Sequence, residues 1–359
     1  MSVKDINQAY WLGACLNRNL FLYHFGYPFI MKQITTILTL LLLTLLVSPS
    51  WSETLTMGDL VERDGLYFKK FTNIPFDGEI EGLANGSFRN GKKSGEFISY
   101  HQNGQLFKVE NYFDGKKDGI WKTYFDTGQL QYLSSYKKGT DHGTFEDYDQ
   151  NGNLTWKHTY KDGISHGQSE AYWSSGAIRE RGNYKDDNRD GSWEWFFKNG
   201  QLLKKGNYEA GLRTGSWEFY YENGQLEEKG NYEADLNNGL FESYYENGQL
   251  SRKVNYVDGK EEGFLKSFYK NGNLEYLGNL EEGEREGPWE MGRVNGSLYF
   301  KGYFKNGKKE GFWQFFNDDG VLESSGDFIN NKKAGFWEYF KGDGTLKRTE
   351  TYKNGKLVE

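Results

Sequence analysis

Glycine recurs with a fixed period of 24 residues along most of this chain. One series of eleven glycines runs from Gly104 to Gly344, and a second series of eleven runs from Gly95 to Gly335. Neither series is interrupted by an insertion or a deletion. A fixed period of this length indicates a repeat architecture, in which each unit contacts its neighbours and buries little apolar surface alone.

Aromatic residues keep the same period. The second residue after each Gly95-type glycine is Trp or Phe, except at Ser169 and Leu265, and three residues later stands Tyr or Phe, except at Gly292. A third aromatic series runs from Tyr112, with Leu280 as its departure. Aromatic residues make up 18% of the chain and the whole apolar set only 36%. The rings are therefore expected to form the core.

Each unit predicts one β-hairpin. In the unit that contains Gly215, residues 215–221 and 226–232 have the composition of strands, and Glu-Asn-Gly-Gln at 222–225 separates them. Asn-Gly tolerates positive φ at both central positions of a tight turn. The position that connects one unit to the next is usually Gly, with Asp187, Asp235 and Asn331 as replacements, so it predicts a left-handed backbone.

Successive hairpins predict an all-β fold, an elongated single-layer antiparallel β-meander. Neighbouring strands lie about 4.8 Å apart, so eleven two-stranded units form a rod on the order of 100 Å long. Ladders of Trp, Tyr and Leu are expected to bury one another on one face, and Glu, Lys and Gln to cover the other. Residues 95–359 hold the eleven repeats, and residues 53–94 are expected to form an N-terminal cap with a degenerate first repeat.

The N-terminal region predicts export. Residues 34–47 are an unbroken run of Ile, Thr, Leu and Val after Lys32, which is typical of a signal peptide. We interpret residues 31–52 as the signal peptide with cleavage before Glu53, and residues 1–30 as an over-extended N-terminus, with Met31 as the start. The alternative is a start at Met1 with residues 20–47 as an uncleaved anchor. The single cysteine, Cys15, lies upstream of the signal.

The repeat pattern G-x-W-x-x-Y-x-x-N-G-x-L-x-x-x-x-x-Y-x-x-G resembles the variant MORN repeat of bacterial proteins over residues 71–359. The resemblance implies a repeat scaffold for interactions without an established enzyme activity. Bacterial proteins of this family are often labelled antitoxins of toxin–antitoxin systems. A more distant similarity to choline-binding cell-wall repeats implies that aromatic hairpins could hold a ligand between rungs.

No catalytic, cofactor or metal site is predicted. The repeats contain no phosphate-binding loop, nucleophile elbow or zinc-protease motif. The net charge of -7 argues against nucleic acid as a partner, because nucleic-acid binding needs a basic surface. The absence of these motifs predicts that the chain acts by binding, without being an enzyme.

The unit 287–310 is irregular. Pro288 and Gly292 predict a kink or a gap in this unit.

Two groups of residues are candidates for partner binding. Tryptophans outside the regular ladder positions are typical of interaction hot spots, and an acidic stretch between Arg213 and Arg252 could dock a basic partner. The tryptophans are Trp156, Trp173 and Trp195, and the acidic candidates are Glu227, Glu228, Glu233 and Asp235.

These patterns lead to one principal function with two alternatives. The principal function is a non-catalytic scaffold for an unidentified protein partner in the cell envelope or outside the cell. The first alternative is binding of a glycan or envelope component through surface aromatics, and the second is an antitoxin-like protein if the chain is cytoplasmic. Because an open strand edge invites pairing, a homodimer through the ends of the array is also expected.

Overall fold

The computed structural model describes residues 54–359, so the predicted signal peptide, the over-extended N-terminus and Cys15 lie outside the described residues. The described chain confirms the all-β antiparallel meander. From β3 onward, strands pair antiparallel in chain order, and in three units the first strand is split into two pieces that both pair with the preceding strand. Within residues 54–359, no helix is long and apolar enough to cross a membrane.

A 3-10 helix at Met57–Asp59 precedes thirty strands. The strands are β1 (Leu60–Arg63), β2 (Leu66–Lys69), β3 (Gly78–Ile80), β4 (Ala84–Arg89), β5 (Lys92–Tyr100), β6 (Leu106–Phe113), β7 (Lys116–Lys117), β8 (Gly119–Tyr124), β9 (Leu130–Lys137), β10 (Thr140–Asp141), β11 (Gly143–Tyr148), β12 (Leu154–Lys161), β13 (Ile164–Tyr172), β14 (Ile178–Lys185), β15 (Asn188–Phe196), β16 (Leu202–Glu209), β17 (Leu212–Tyr220), β18 (Leu226–Glu233), β19 (Leu236–Asn237), β20 (Gly239–Tyr244), β21 (Leu250–Val257), β22 (Lys260–Phe268), β23 (Leu274–Glu281), β24 (Glu284–Gly292), β25 (Leu298–Lys305), β26 (Lys308–Phe316), β27 (Leu322–Ile329), β28 (Lys332–Phe340), β29 (Leu346–Lys353) and β30 (Lys356–Leu357).

Each unit has two turns, and the turn inside the hairpin differs from the prediction. At 222–224 only Gly224 has positive φ (85°), and hydrogen bonds join Gly224 N to Tyr221 O and Tyr221 N to Gln225 O, so this is a three-residue loop. The two-residue turn with positive φ at both positions is the connection between units, as at Ala234 (47°) and Asp235 (69°). The left-handed backbone expected at Asp235 is confirmed, and the residue before it shares that conformation.

The first strand of most units also begins earlier than predicted, whereas β8, β11 and β20 begin at the glycine after a separate two-residue strand. β17 starts at Leu212, so Gly215, expected at the strand start, lies inside the strand with φ of 65°. The pairing of β16 with β17 shifts register at this place. The glycine is therefore required by a bulge, which explains why it recurs in every unit.

The core is a row of packed rings on one face of the sheet, here called the aromatic face. Rings from the first and second strands of successive units alternate, as in Tyr208–Trp217 (5.2 Å between centroids) and Tyr232–Phe241 (5.5 Å). Trp217 is 1% exposed and its indole N–H donates to Asn207 O at 3.2 Å. Edge-to-face packing of this kind contributes beyond the buried area alone.

Residues 54–94 close the N-terminal end of this row. Leu60, Ile80 and Phe88 form a buried cluster with Phe97, the first regular ring of the repeats. The hairpin β1–β2 forms its own two-stranded sheet, and Tyr67 N donates to Gly91 O at 2.7 Å. At the other end, β30 pairs with β29 only at Tyr352 and Lys353, so within the described chain residues 346–350 pair with β28 on one side and have no strand on the other.

Candidate functional site

The face opposite the rings, here called the polar face, carries a regular network of Tyr, Glu and Lys. Glu242 Oε1 accepts a hydrogen bond from Lys253 Nζ at 2.6 Å, and Oε2 accepts one from Tyr244 Oη at 3.0 Å and lies 2.8 Å from Lys229 Nζ. These hydrogen bonds lower the pKa of Glu242 to about 2. The recurring Glu residues, expected to form a solvated face, are therefore partly held in ion pairs that fix the strands.

The turns of successive units are joined by side chains of matching position. Asn223 Nδ2 donates to Glu246 O at 3.0 Å, and Tyr221 Oη donates to Tyr244 O at 2.8 Å. The same contact, from an Asn side chain to the backbone carbonyl 23 residues later, recurs in several other units. One edge of the sheet is therefore stiffened by a row of inter-unit hydrogen bonds.

Cations lie over the aromatic face. The guanidinium of Arg189 lies 4.4 Å from the Trp193 ring centroid, and that of Arg213 lies 4.0 Å from Tyr232. Burial lowers the pKa of Lys309 and Lys333, which hold the same repeat position near the C-terminus. The ring row is therefore screened from solvent by Lys and Arg side chains, and its rings are poorly accessible to a partner.

An exposed row of apolar residues lies on the polar face of the C-terminal units and is the candidate functional site. Each member directly follows the first glycine of its unit, and each is followed by a buried core residue. The row, here called the apolar stripe, consists of Leu240, Phe264, Pro288, Phe312 and Phe336.

Strand alternation explains the exposure of the apolar stripe. Phe312 is 56% exposed and Phe336 is 73% exposed, whereas the following residues, Trp313 and Trp337, are 0% and 1% exposed. Tyr303, which pairs with Pro288 across β24 and β25, is also exposed and adds to the stripe. The other members of the stripe are separated by polar residues, such as Asn279 and Asp327, on the paired strands. Exposed apolar side chains repeated at one position of successive units are typical of interaction sites.

The earlier units do not carry this feature. Among residues 95–238, the equivalent positions are polar except for Ile120: they are Glu96, Ile120, Thr144, Gln168, Ser192 and Ser216. The stripe is therefore not required by the hairpin geometry, because the polar units form the same strands.

The structure separates the three tryptophan candidates. Trp195 is 8% exposed, packs between Trp193 and Trp217, and donates to Glu180 Oε2 at 2.7 Å, so the surface position expected for it is wrong. Trp156 is half-buried and stacks on His158 with centroids 5.0 Å apart. Their role in partner binding stays a prediction.

Trp173 occupies the repeat position of Tyr221. Its indole N–H donates to Phe196 O at 3.2 Å, an inter-unit contact of the same kind as the Tyr221–Tyr244 bond. It is half-buried, and Lys198 lies over its ring. The three tryptophans thus occupy three different environments and do not form one surface.

The acidic candidates also divide between surfaces. In β18, Glu228 alternates with Glu227 and Glu233, so it lies on the aromatic face, where Ser243 Oγ donates to it at 3.0 Å. Asp235 lies in the inter-unit turn and forms an ion pair with Arg213 at 2.9 Å. The stretch that is continuous in sequence is therefore not one docking surface, because strand alternation sends its side chains to opposite faces.

No group of three or more His, Cys, Asp or Glu side chains in residues 54–359 is arranged to hold a metal ion. His142 pairs with Asp162 at 3.2 Å and His166 with Asp186 at 3.4 Å, in neighbouring units. His158 is buried in the ring row.

Sequence reasoning missed the apolar stripe, although its signal was present. The same 24-residue count that located the glycines also places an apolar residue after five consecutive ones, from Leu240 to Phe336. The signal was hidden because an apolar residue beside a core Trp looks like one more core residue. Only the alternation of the strand separates the two faces.

Comparison with known families finds one matching repeat family. A family model described as MORN repeat variant matches seven consecutive segments: residues 93–114, 117–138, 141–162, 165–186, 189–210, 213–234 and 237–258. Each segment holds both strands of one unit, and the units after residue 258 keep the same strand pairing. The seven matched segments, which cover less than half of the chain, are therefore similar to the variant MORN repeat.

Comparison with other proteins adds little. No curated protein matches the sequence. The crystal structure of TcdB2-TccC3 is 11% identical, with 76% of this chain and 18% of that chain covered and a TM-score of 0.17. The Photorhabdus luminescens Tc holotoxin pore is 13% identical, with 74% and 14% covered and a TM-score of 0.15. This chain spans less than a fifth of the length of either.

Proposed function

We propose that this variant MORN-repeat chain is a non-catalytic scaffold that binds a protein partner through the apolar stripe, in the cell envelope or outside the cell. The observation that carries the proposal is the exposure of Phe264, Phe312 and Phe336 at a repeat position that is polar in every unit of residues 95–238 except that of Ile120. Burial of such side chains against a partner contributes about 1.5–3 kcal/mol each.

The spacing of the stripe suits a partner with apolar side chains about 10 Å apart, because each unit advances by two strands. In an α-helix, residues seven positions apart are about 10.5 Å apart along the axis. We therefore propose an amphipathic helix of the partner as the occupant, laid across two or three units. Since β-sheets twist, a straight helix follows only a few units before the stripe turns away.

The test compares two variants of the full chain. Phe264→Ser/Phe312→Ser/Phe336→Ser removes the exposed rings, and Ser192→Ala/Ser216→Ala changes the same repeat position in polar units. A partner recovered by quantitative capture and then purified is expected to bind wild-type chain and the Ser→Ala control alike. The triple Phe variant is expected to bind at least about a hundredfold more weakly.

Equal affinity of the partner for the triple Phe variant would refute the stripe as the binding surface. Self-association of the chain is measured in parallel by analytical ultracentrifugation. A dimer that disappears in the triple Phe variant would assign the stripe to a second copy of this chain and overturn the helix of a separate partner. A dimer that persists in the variant would agree with pairing through the open array end.

Location is tested by N-terminal sequencing of the protein recovered from separated cell fractions. A mature start near Glu53 in the exported fraction supports the proposed location. An intact N-terminus in the cytoplasm would contradict export and favour the antitoxin-like alternative. The glycan alternative as first stated is weakened, because Trp195 is buried and Trp173 is engaged between units.

A further inference from the structure

The ring row of the aromatic face is interrupted at two places, and the two places differ. Both interruptions replace the ring that follows the first glycine, by Ser169 in one unit and by Leu265 in another. The remaining units carry Trp or Phe there. The two sites thus provide an internal comparison within one sheet.

The interruption at Ser169 is filled. His158 occupies a position that is glycine in many other units, and its ring lies 4.7 Å from Tyr160 and 5.0 Å from Tyr184. His158 therefore continues the row in place of the missing ring. The ring lost at position 169, where Ser replaces Trp or Phe, is compensated by the ring gained at position 158, where His replaces Gly.

The interruption at Leu265 is open. Ring contacts run to the Phe241–Tyr256 pair at 5.0 Å and resume only at Trp289–Phe304, since Leu280 also replaces a ring. A cavity of about 570 Å³ lies between these pairs. This volume lies within the range of small-molecule sites. The gap therefore lies one unit before the unit 287–310, in which the presence of Pro288 and Gly292 had led us to expect it.

The cavity contains a buried hydroxyl without a partner. Ser267 is 7% exposed, and its Oγ has no hydrogen-bond partner within the described structure. A buried polar group without a partner costs about 1–3 kcal/mol. The same repeat position is Ser in two other units, at Ser99 and Ser243, and a ring in units such as those of Phe219 and Phe315, so the repeat does not require the hydroxyl.

The charges around the cavity are balanced. Arg252 pairs with Glu261 at 2.7 Å, and Glu261 takes the repeat position that holds a cation in units such as those of Arg213 and Arg285. Arg285 lies 4.7 Å from Trp289 and has no ion pair within residues 54–359. Glu275 also lines the cavity. Two arginines and two glutamates therefore face the same space, so the site has no net charge.

We propose that this cavity binds a neutral saccharide of one or two rings. Leu265 and Leu280 form an apolar floor, and Tyr276 adds an aromatic wall, against which the C–H face of a sugar ring packs. Arginines donate, carboxylates accept and the Ser267 hydroxyl does both, which matches sugar hydroxyls that also donate and accept. This site lies on the aromatic face and does not depend on the apolar stripe.

The decisive variant restores the common repeat. In other units a glycine stands opposite the Trp, and a Cβ at Gly206 would lie 2.1 Å from the Trp217 ring. Val254→Gly/Leu265→Trp therefore fills the cavity with the pair found elsewhere in the sheet. The matched control is His158→Gly/Ser169→Trp, which makes the same replacement at the interruption that the His158 ring fills.

Binding is measured by saturation-transfer NMR and titration calorimetry on the full chain, with maltose, cellobiose and N,N'-diacetylchitobiose as neutral probes. Glucuronic acid and glucosamine are the charged comparisons. Wild-type chain and the His158→Gly/Ser169→Trp control are expected to bind at least one neutral probe with equal affinity. The cavity-filled variant is expected to show no saturation transfer.

Ser267→Ala keeps the test decisive if the cavity-filled variant does not fold. Removal of one hydrogen bond is expected to weaken binding about two- to tenfold without loss of the fold. Failure of every neutral probe at millimolar concentration, preference for a charged probe, or undiminished binding in the cavity-filled variant would each overturn the proposal. None of these results bears on the apolar stripe, since its variants lie on the other face.

Discussion

At the scale of the residue, the size of one side chain decides the identity of another in the next unit. Gly206 is glycine because the ring of Trp217 lies where its Cβ would be. Where the ring is absent, at Ser169, the partner position holds His158. Both ring nitrogens of His158 lack a hydrogen-bond partner in the described structure, although the residue is only 4% exposed.

His158 should make stability depend on pH. Burial lowers the pKa of His158 below the ordinary 6.5, and the charge of Asp187 opposes this only partly. The unfolded chain therefore takes up a proton at a higher pH than the folded chain, so stability falls as pH drops below about 6.5. His158→Phe should remove this slope and stabilise the fold at neutral pH by about 1–3 kcal/mol.

The measurement is denaturant unfolding across this pH range. His142→Gln serves as the control, since His142 is only partly buried and pairs with Asp162. The interpretation fails if the slope below pH 6.5 is the same in wild-type chain and in His158→Phe.

At the scale of the element, the two turns of a unit perform different tasks. The three-residue loop uses a single glycine and its Asn side chain bonds the next unit, as Asn223 does. The two-residue turn places both residues in the left-handed region, where alanine is strained. Ala234 occupies this region with φ of 47°, although Asn or Asp fills the position in several other units.

Ala234→Gly should therefore stabilise the chain, by about 0.5–1 kcal/mol, because glycine adopts positive φ without steric cost. Ala171→Gly should instead destabilise the chain, since Ala171 is buried in β13 and glycine weakens strand interiors. Chemical denaturation of both variants checks the pair. A loss of stability in Ala234→Gly would show that strain at this turn is not the dominant effect.

At the scale of the whole described array, stability is divided among separate clusters. One buried cluster runs from Trp193 to Phe241 and another from Val254 to Trp337. In a repeat protein each unit is stabilised mainly by its neighbours, so a weak interface lowers cooperativity locally. The cavity beside Leu265 lies inside the second cluster, at the place where Leu265 and Leu280 replace rings, and it weakens the packing between units there.

Hydrogen exchange should be fastest, among interior units, in β22 and β23. Val254→Gly/Leu265→Trp restores the ring row and should slow exchange there about tenfold, which corresponds to about 1.4 kcal/mol of local stability. The unit formed by β17 and β18 should be unchanged and is the reference. Equal exchange in the two units of the wild-type chain would contradict a weak interface at the cavity.

The sequence alone determined the all-β repeat fold, because the 24-residue period of glycines and rings admits little besides stacked hairpins. It did not locate the apolar stripe or the cavity. Phe264 and Leu265 are adjacent apolar residues, yet one is 53% exposed and the other 5%. Strand alternation, the bulge at the first glycine and contacts between units decide which side chain meets solvent, and those exist only once neighbouring hairpins have paired.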